Sequence, residues 1–165
     1  MSGETPWIHG NLTLPRSVMT AIEEEAVRAY PSECCGFLSG PLEQPLLVDE
    51  AIFEVNEADK YHALDPERFP RTSKTYFKIN ALRAARRFEE GNATGRPIKV
   101  IYHSHCDAGA YFSEEDAATF AAHGQLMWPC AFLVMSVLGG NIVDRKLWVH
   151  VAGSNGFTES VMQVL

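Results

Sequence analysis

The sequence predicts an α/β domain with a mixed central β-sheet flanked by helices, and three observations carry that prediction. Two continuous apolar runs, 98–102 and 130–138, have the length and composition of fully buried strands. Shorter strand-like segments stand on either side of them, and three stretches with helical apolar periodicity are interleaved with the strands. No internal repeat, low-complexity tract or second domain interrupts the pattern, so the 165 residues read as one domain.

In chain order, residues 1–9 read as a loose leader and 12–14 as a short strand. Pro15 suits the first turn of a helix that runs to about Tyr30, where Pro31 stops it. Met19, Ile22, Ala26 and Ala29 share one stripe of that helix, opposite Glu23, Glu24 and Arg28, so one face packs on the sheet. Residues 35–39 read as a strand entered directly from the turn at Glu33. Residues 46–55 are its antiparallel neighbour, joined through Gly40 and Pro41. Residues 56–73 form a long irregular segment, of a kind that in compact domains is usually a binding loop or disordered. Residues 75–79 alternate as a strand does. Asn80 then caps a helix from Ala81 to Glu90, ended by Gly91, with Ala81, Ala84, Ala85 and Phe88 as its core stripe. The central strand 98–103 leads through a loop into a helix from Ser113 to about His123. After the buried strand 130–138, Gly139, Gly140 and Asn141 turn the chain into a strand over 142–151. Gly153 to Gly156 close the regular part, leaving a tail in which Phe157 and Val161 pack back.

Composition excludes several classes. With 46% hydrophobic and 21% charged residues the chain can bury a real core. A net charge of -7 and a pI near 5.3 argue against nucleic acid, which demands a basic footprint. No cationic and apolar leader and no membrane-spanning run is present, which places the chain in the cytoplasm, off the membrane. Cys34, Cys35, Cys106 and Cys130 then read as reduced thiols. Eight Lys or Arg between Lys60 and Arg87 face only Asp65 and Glu67. That cluster is a solvated face or a docking surface for an acidic partner.

The candidate chemistry lies in 103–116, from the end of the central strand into the next helix. Strand alternation projects His103 and His105 from one side and Ser104 from the other. Asp116, three residues after Ser113, sits in the first helical turn and can fold back over the strand end. Two imidazoles, one carboxylate and one open position suit a catalytic Zn²⁺. Ser113 and Asp116 also read as a capping box. A strand-end histidine alone is usually a polar side chain with a satisfied hydrogen bond. The conjunction of the three residues favours the metal.

His103-x-His105, seven intervening residues and Ser113-x-x-Asp116, with Glu33 upstream in Tyr30-Pro31-Ser32-Glu33-Cys34-Cys35-Gly36, resemble the JAMM (MPN+) metallopeptidase family. The continuation Phe37-Leu38-Ser39-Gly40 resembles its small bacterial branch, which includes peptidases acting on ubiquitin-like sulfur-carrier proteins. The resemblance covers roughly 12–148 and implies a cytidine-deaminase-like JAMM/MPN domain. It departs from the pattern at Cys106 and Phe112, where relatives commonly have proline. It implies one Zn²⁺ on His103, His105 and Asp116, with Glu33 as general base and then acid, and Ser113 as hydrogen-bond donor to the oxyanion. The implied substrate is a ubiquitin-like sulfur-carrier protein, cut after its C-terminal Gly-Gly to release an amino acid such as cysteine or a short extension. Loops 56–73 and 106–112 would hold the tail. Alternatives are an isopeptidase that removes a ubiquitin-like modifier from lysine, a non-catalytic MPN scaffold, a zinc nucleoside deaminase and a cysteine hydrolase using Cys34 or Cys35. The scaffold ranks low because all ligands are present. The deaminase lacks its second cysteine and a His-x-Glu, and nothing ties either thiol to a histidine.

Overall fold

The computed structural model describes residues 4–165; the first three positions of the expected leader lie outside the described residues. After a 3-10 helix, Pro6–His9, come β1 (Leu12–Leu14), α1 (Arg16–Ala29), β2 (Cys35–Ser39), β3 (Glu50–Glu54), α2 (Ala58–Leu64) and α3 (Ala81–Ala93). The second half contributes β4 (Ile98–Cys106), α4 (Glu114–Phe120), β5 (Ala121–Ala122), β6 (Gln125–Leu126), β7 (Ala131–Leu138), β8 (Asn141–His150), β9 (Phe157–Ser160) and β10 (Met162–Val164). Among the described residues no helix is long and apolar enough to cross a membrane.

The two apolar runs become the central strands β4 and β7, which pair in parallel within a six-stranded sheet of order β3-β2-β4-β7-β8-β9. The other neighbours in that sheet are antiparallel, which makes the sheet mixed as predicted. Each face is covered. On one, Met19, Ile22 and Ala26 of α1 pack with Trp7, Leu38, Val100, Tyr102, Leu133 and Met135. On the other, Ala84 and Phe88 of α3 and Phe120 of α4 pack with Phe37, Phe77, Ile101 and Phe132. Lys99 interrupts the apolar run of β4 yet is fully buried. Its Nζ donates to the carbonyls of Pro41, Gln44 and Leu47 at 2.9, 2.9 and 2.8 Å, stapling the β2–β3 connection to the sheet.

Several expectations are corrected. Residues 6–9 are anchored rather than loose, because Trp7 is buried and its Nε1 donates to Pro129 O at 2.9 Å. The antiparallel neighbour of β2 is shorter than 46–55, since only Glu50–Glu54 pair. The segment 56–73 contains α2, started by Asn56, whose Oδ1 accepts from Ala58 N at 3.0 Å. The alternation over 75–79 does not become a strand; Thr75 ends a turn and the residues after it are irregular. Asn56 takes the place of a strand partner, its Nδ2 donating to Tyr76 O and its Oδ1 accepting from Lys78 N, both at 3.0 Å. Asn80 caps α3 as expected, accepting from Leu82 N and Arg83 N. Gly91 lies inside that helix because a Cβ there would meet Arg96 O at 2.6 Å, and the chain leaves at Gly95, φ 74°. α4 stops at Phe120 instead of running to His123. His123 (φ 55°) and Gly124 (φ 74°) form the tight turn between β5 and β6. The tail forms β9 at the sheet edge, and β10 pairs in parallel with β1.

Candidate metal centre

The centre is assembled by one strand, its antiparallel neighbour and one helix start. Cys35 pairs with His103 across β2 and β4, and Ser104 N donates to Cys34 O at 3.1 Å, so continuing the register sets Glu33 opposite His105. Alternation along β4 does the rest. His103 and His105 turn toward α4, while Ser104 turns away and its Oγ accepts from Cys34 N at 2.8 Å. Ser113 caps α4 with Asp116 as the reciprocal member of a capping box. Its Oγ accepts from Asp116 N at 3.0 Å, and Ser113 N donates to Asp116 Oδ2 at 3.1 Å. The capping reading and the ligand reading of Asp116 therefore coexist, the first holding the carboxylate in place for the second.

His103 Nε2, His105 Nε2 and Asp116 Oδ2 form a nearly equilateral triangle with edges of 3.2, 3.1 and 3.3 Å. All three residues are buried, and they are the one His/Cys/Asp/Glu cluster of metal-binding geometry among the described residues. Donor atoms about 2.0–2.1 Å from a tetrahedral ion stand about 3.3 Å from each other, so the triangle fits Zn²⁺ without rearrangement. The tautomer of His105 suits it as well. His105 Nδ1 lies 2.8 Å from Gly109 O and donates to it, which leaves Nε2 with its lone pair exposed to the cluster. His103 stacks on Phe77, ring centroids 4.3 Å apart, and its buried Nδ1 has no partner among the described residues.

Electrostatics separate the two carboxyls. Glu33 is 6% exposed; burial first, then the charge of Asp116, pushes its carboxyl up to about 9, against the opposing pull of Arg71. Burial would raise Asp116 too, but His103 and then His105 outweigh it and hold Asp116 well below the usual carboxylate range. One carboxyl is thus suited to holding a cation and the other to carrying a proton.

Both meet in a cleft of about 110 Å³ lined by Glu33, Arg71, Lys74, His105, Cys106, Tyr111, Ser113, Glu115 and Asp116 among others. The two expected loops supply parts of it, through Arg71 and through Cys106, Ala108 and Tyr111. Lys74, Tyr76 and Glu115 were not expected; a polar residue bordering a long loop was the only sign of them. Cys106 lines the cleft but lies outside the ligand cluster, and burial followed by Glu33 and Asp107 pushes its thiol up to about 12. Cys34 and Cys35 are buried and raised above the ordinary thiol range by that burial, which removes them as nucleophiles. His62, His123 and His150 are not in the cluster.

Where proline was the family expectation, the 107–110 loop is tied down by hydrogen bonds. Asp107 N donates to Val137 O at 2.7 Å, Ser136 Oγ donates to Ala108 O, and Trp148 Nε1 donates to Ala110 O at 2.9 Å. The Asp107 carboxylate accepts from Tyr30 OH at 2.7 Å and from Gly139 N at 2.9 Å. Phe112 packs on Phe157, centroids 4.3 Å apart. The basic cluster is largely spent within the chain. Arg83 and Arg87 pair with Glu54 at 3.5 and 2.7 Å, and Lys78 sits over the Tyr61 ring at 5.5 Å, which fits a solvated face.

The family model described as prokaryotic homologs of the JAB domain matches residues 15–151. Among solved structures, a protein of Desulfitobacterium hafniense known from a solution structure is similar with a TM-score of 0.68 at 18% identity, over 93% of this chain and 92% of that one. A JAB1/MPN domain protein from Archaeoglobus fulgidus is similar with a TM-score of 0.54 at 18% identity, over 94% and 99%. A third, described as "JAMM: a metalloprotease-like zinc site in the proteasome and signalosome", has a TM-score of 0.51 at 18% identity, over 93% and 97%. At these identities the likeness is one of fold. No curated protein matches the chain in sequence.

Proposed function

We propose, from the premise that the chain belongs to the family of prokaryotic homologs of the JAB domain, that it is a zinc-dependent peptidase. Its substrate in this reading is a ubiquitin-like sulfur-carrier protein, cut directly after the C-terminal Gly-Gly. The observation that carries the proposal is the 3.1–3.3 Å triangle of two imidazole nitrogens and one carboxylate oxygen, sharing a cleft with a buried glutamate. A scaffold would have no use for ligand atoms at coordination spacing.

His103, His105 and Asp116 would hold the ion. Bound Zn²⁺ supplies Lewis-acid activation of water and of the scissile carbonyl at neutral pH. Glu33 would accept the proton released by the attacking water and pass it to the leaving amine; its burial and raised carboxyl suit the donating step, and the charge of a bound cation beside it would lower that carboxyl for the accepting step. Ser113 serves twice without conflict. Its oxygen lone pair accepts from Asp116 N, leaving the O–H hydrogen free to donate to the carbonyl oxygen as charge develops there. A narrow cleft suits glycine, whose lack of a side chain lets backbone come close to the ligand triangle.

The test is incubation of zinc-loaded protein with a carrier extended beyond Gly-Gly and, separately, with the same carrier joined to a lysine side chain, followed by mass spectrometry. A shortened linear product, lost with chelator, supports the reading. Cleavage of the lysine-linked substrate alone assigns an isopeptidase, and intact substrates in both arms overturn the proposal.

A further inference from the structure

We propose that Arg71 and Lys74 form a carboxylate subsite beside Glu33, which selects a leaving group consisting of one amino acid with a free α-carboxylate. The inference rests on hydrolysis in the cleft described above and names what leaves it.

The cleft is otherwise acidic or neutral. Glu33, Glu115 and Asp116 line it with His105, Cys106 and Ser113, and Arg71 and Lys74 are its only Lys or Arg among the described residues. Their position is set by Ser73, which stands between them in sequence. Ser73 O accepts from Glu33 N at 2.7 Å, so the backbone that carries the two cations is joined to the backbone of the proton carrier. Ser73 is buried, and its N and Oγ donate to the two carboxylate oxygens of Asp59, each at 2.8 Å. The cationic wall is therefore braced from behind by α2.

Neither cation is fully engaged. Arg71 Nε lies 3.4 Å from Glu115 Oε1 and its Nη1 donates to Thr75 O at 3.5 Å, but both contacts are long, the two paired side chains are about half exposed, and such a pair contributes little. Lys74 makes no ion pair among the described residues. A guanidinium and an ammonium lining one cleft suit a carboxylate, the first by its two-pronged geometry and the second as a point charge.

Bond lengths make the subsite selective. The amine that takes a proton from Glu33 is bonded to the α-carbon, and the carboxyl carbon of the same residue lies only about 2.5 Å from that nitrogen. A single C-terminal amino acid thus brings its carboxylate to the wall bearing Glu33 whenever its nitrogen is in place. A lysine side-chain amine leaves with four methylenes next to it, and an amide or a longer extension puts a neutral group there.

The experiment compares a carrier extended past Gly-Gly by one residue as the free acid with the same carrier as the C-terminal amide. Binding is titrated on metal-free protein, and turnover is followed on the zinc-loaded protein. The acid should be preferred by about tenfold to a hundredfold, the worth of one charge-assisted hydrogen bond. In Arg71→Met and Lys74→Met the acid-to-amide ratio should fall toward one whatever happens to absolute rates, and Arg71→Lys should keep part of it. Equal binding of acid and amide by the unaltered protein overturns the inference, and so does a preference unchanged in both Met variants. A binding preference without turnover of either carrier upholds the subsite and overturns the proposed peptidase reaction instead.

Discussion

Glu33→Gln should stabilise the metal-free protein, by an amount that grows with pH. The Glu33 carboxyl moves from an ordinary 4.5 to about 9 on folding, because a nearly enclosed site beside Asp116 disfavours its charge. Between those values the unfolded chain releases the proton and the folded chain keeps it. The folded state then binds more protons, and stability falls as pH rises. Each unit is worth about 1.4 kcal/mol, so by pH 7 the residue costs the fold about 3 kcal/mol relative to its protonated state. At 6% exposure, solvent relieves little of this. Asp116 has the opposite sign. Its depressed carboxyl contributes stability above 3.8 that is lost only in stronger acid, so it adds no slope between pH 5 and 8. Glu25 is also raised, first by burial, and leaves a residual slope in both proteins, which the comparison cancels. Urea unfolding in chelator at pH 5, 6, 7 and 8 measures the effect. The gap between variant and unaltered protein should widen by roughly 1 kcal/mol per unit. Parallel stability profiles would refute the reasoning, since they mean that Glu33 ionises alike in the folded and unfolded chains.

Three further outcomes follow from contacts described above. Trp148→Phe removes the donor to Ala110 O while keeping an aromatic ring, and should weaken zinc affinity about tenfold to a hundredfold by loosening the loop that orients His105, read by competition with a metal indicator at unchanged circular dichroism. Lys99→Met should destabilise the protein by about 3 kcal/mol or more, because three carbonyls lose their donor, measured by urea unfolding. Ser113→Ala should lower turnover about 10²–10³-fold and stability by about 1 kcal/mol, the former from the lost donor and the latter from the lost cap; kinetics and thermal melts separate the two.

How much of this was legible depended on the range of each interaction. The ligand triangle was readable because both of its sources are local: strand alternation aligns His103 with His105, and a four-residue capping box positions Asp116. Glu33 is more than seventy positions from His105 along the chain, and only the resemblance marked it before the β2–β4 register placed the two together. Residues 75–79 alternate as a strand does, with Phe77 buried against His103, but their hydrogen-bond partners are the Asn56 side chain and the backbone N of Glu57, which no periodicity announces. Gly91 reads as a helix stop, although its real constraint is the close approach of Arg96 O. The cationic wall of the cleft was hidden for the same reason, since it depends on the Ser73 to Glu33 contact.

The two walls of the cleft are fastened by different sets of bonds. The 107–110 loop is stitched to β7, to β8 and to the turn between them, whereas 71–76 is held by the bonds of Ser73, by Tyr76 O accepting from Asn56 and by an exposed ion pair. In the proposed reading, the residues that would hold the ion and those that would recognise the departing amino acid are therefore held by largely separate bonds, which meet at the Arg71–Glu115 pair. On that reading, sequence drift along 71–76 would alter which leaving groups fit sooner than it would disturb the ligand triangle.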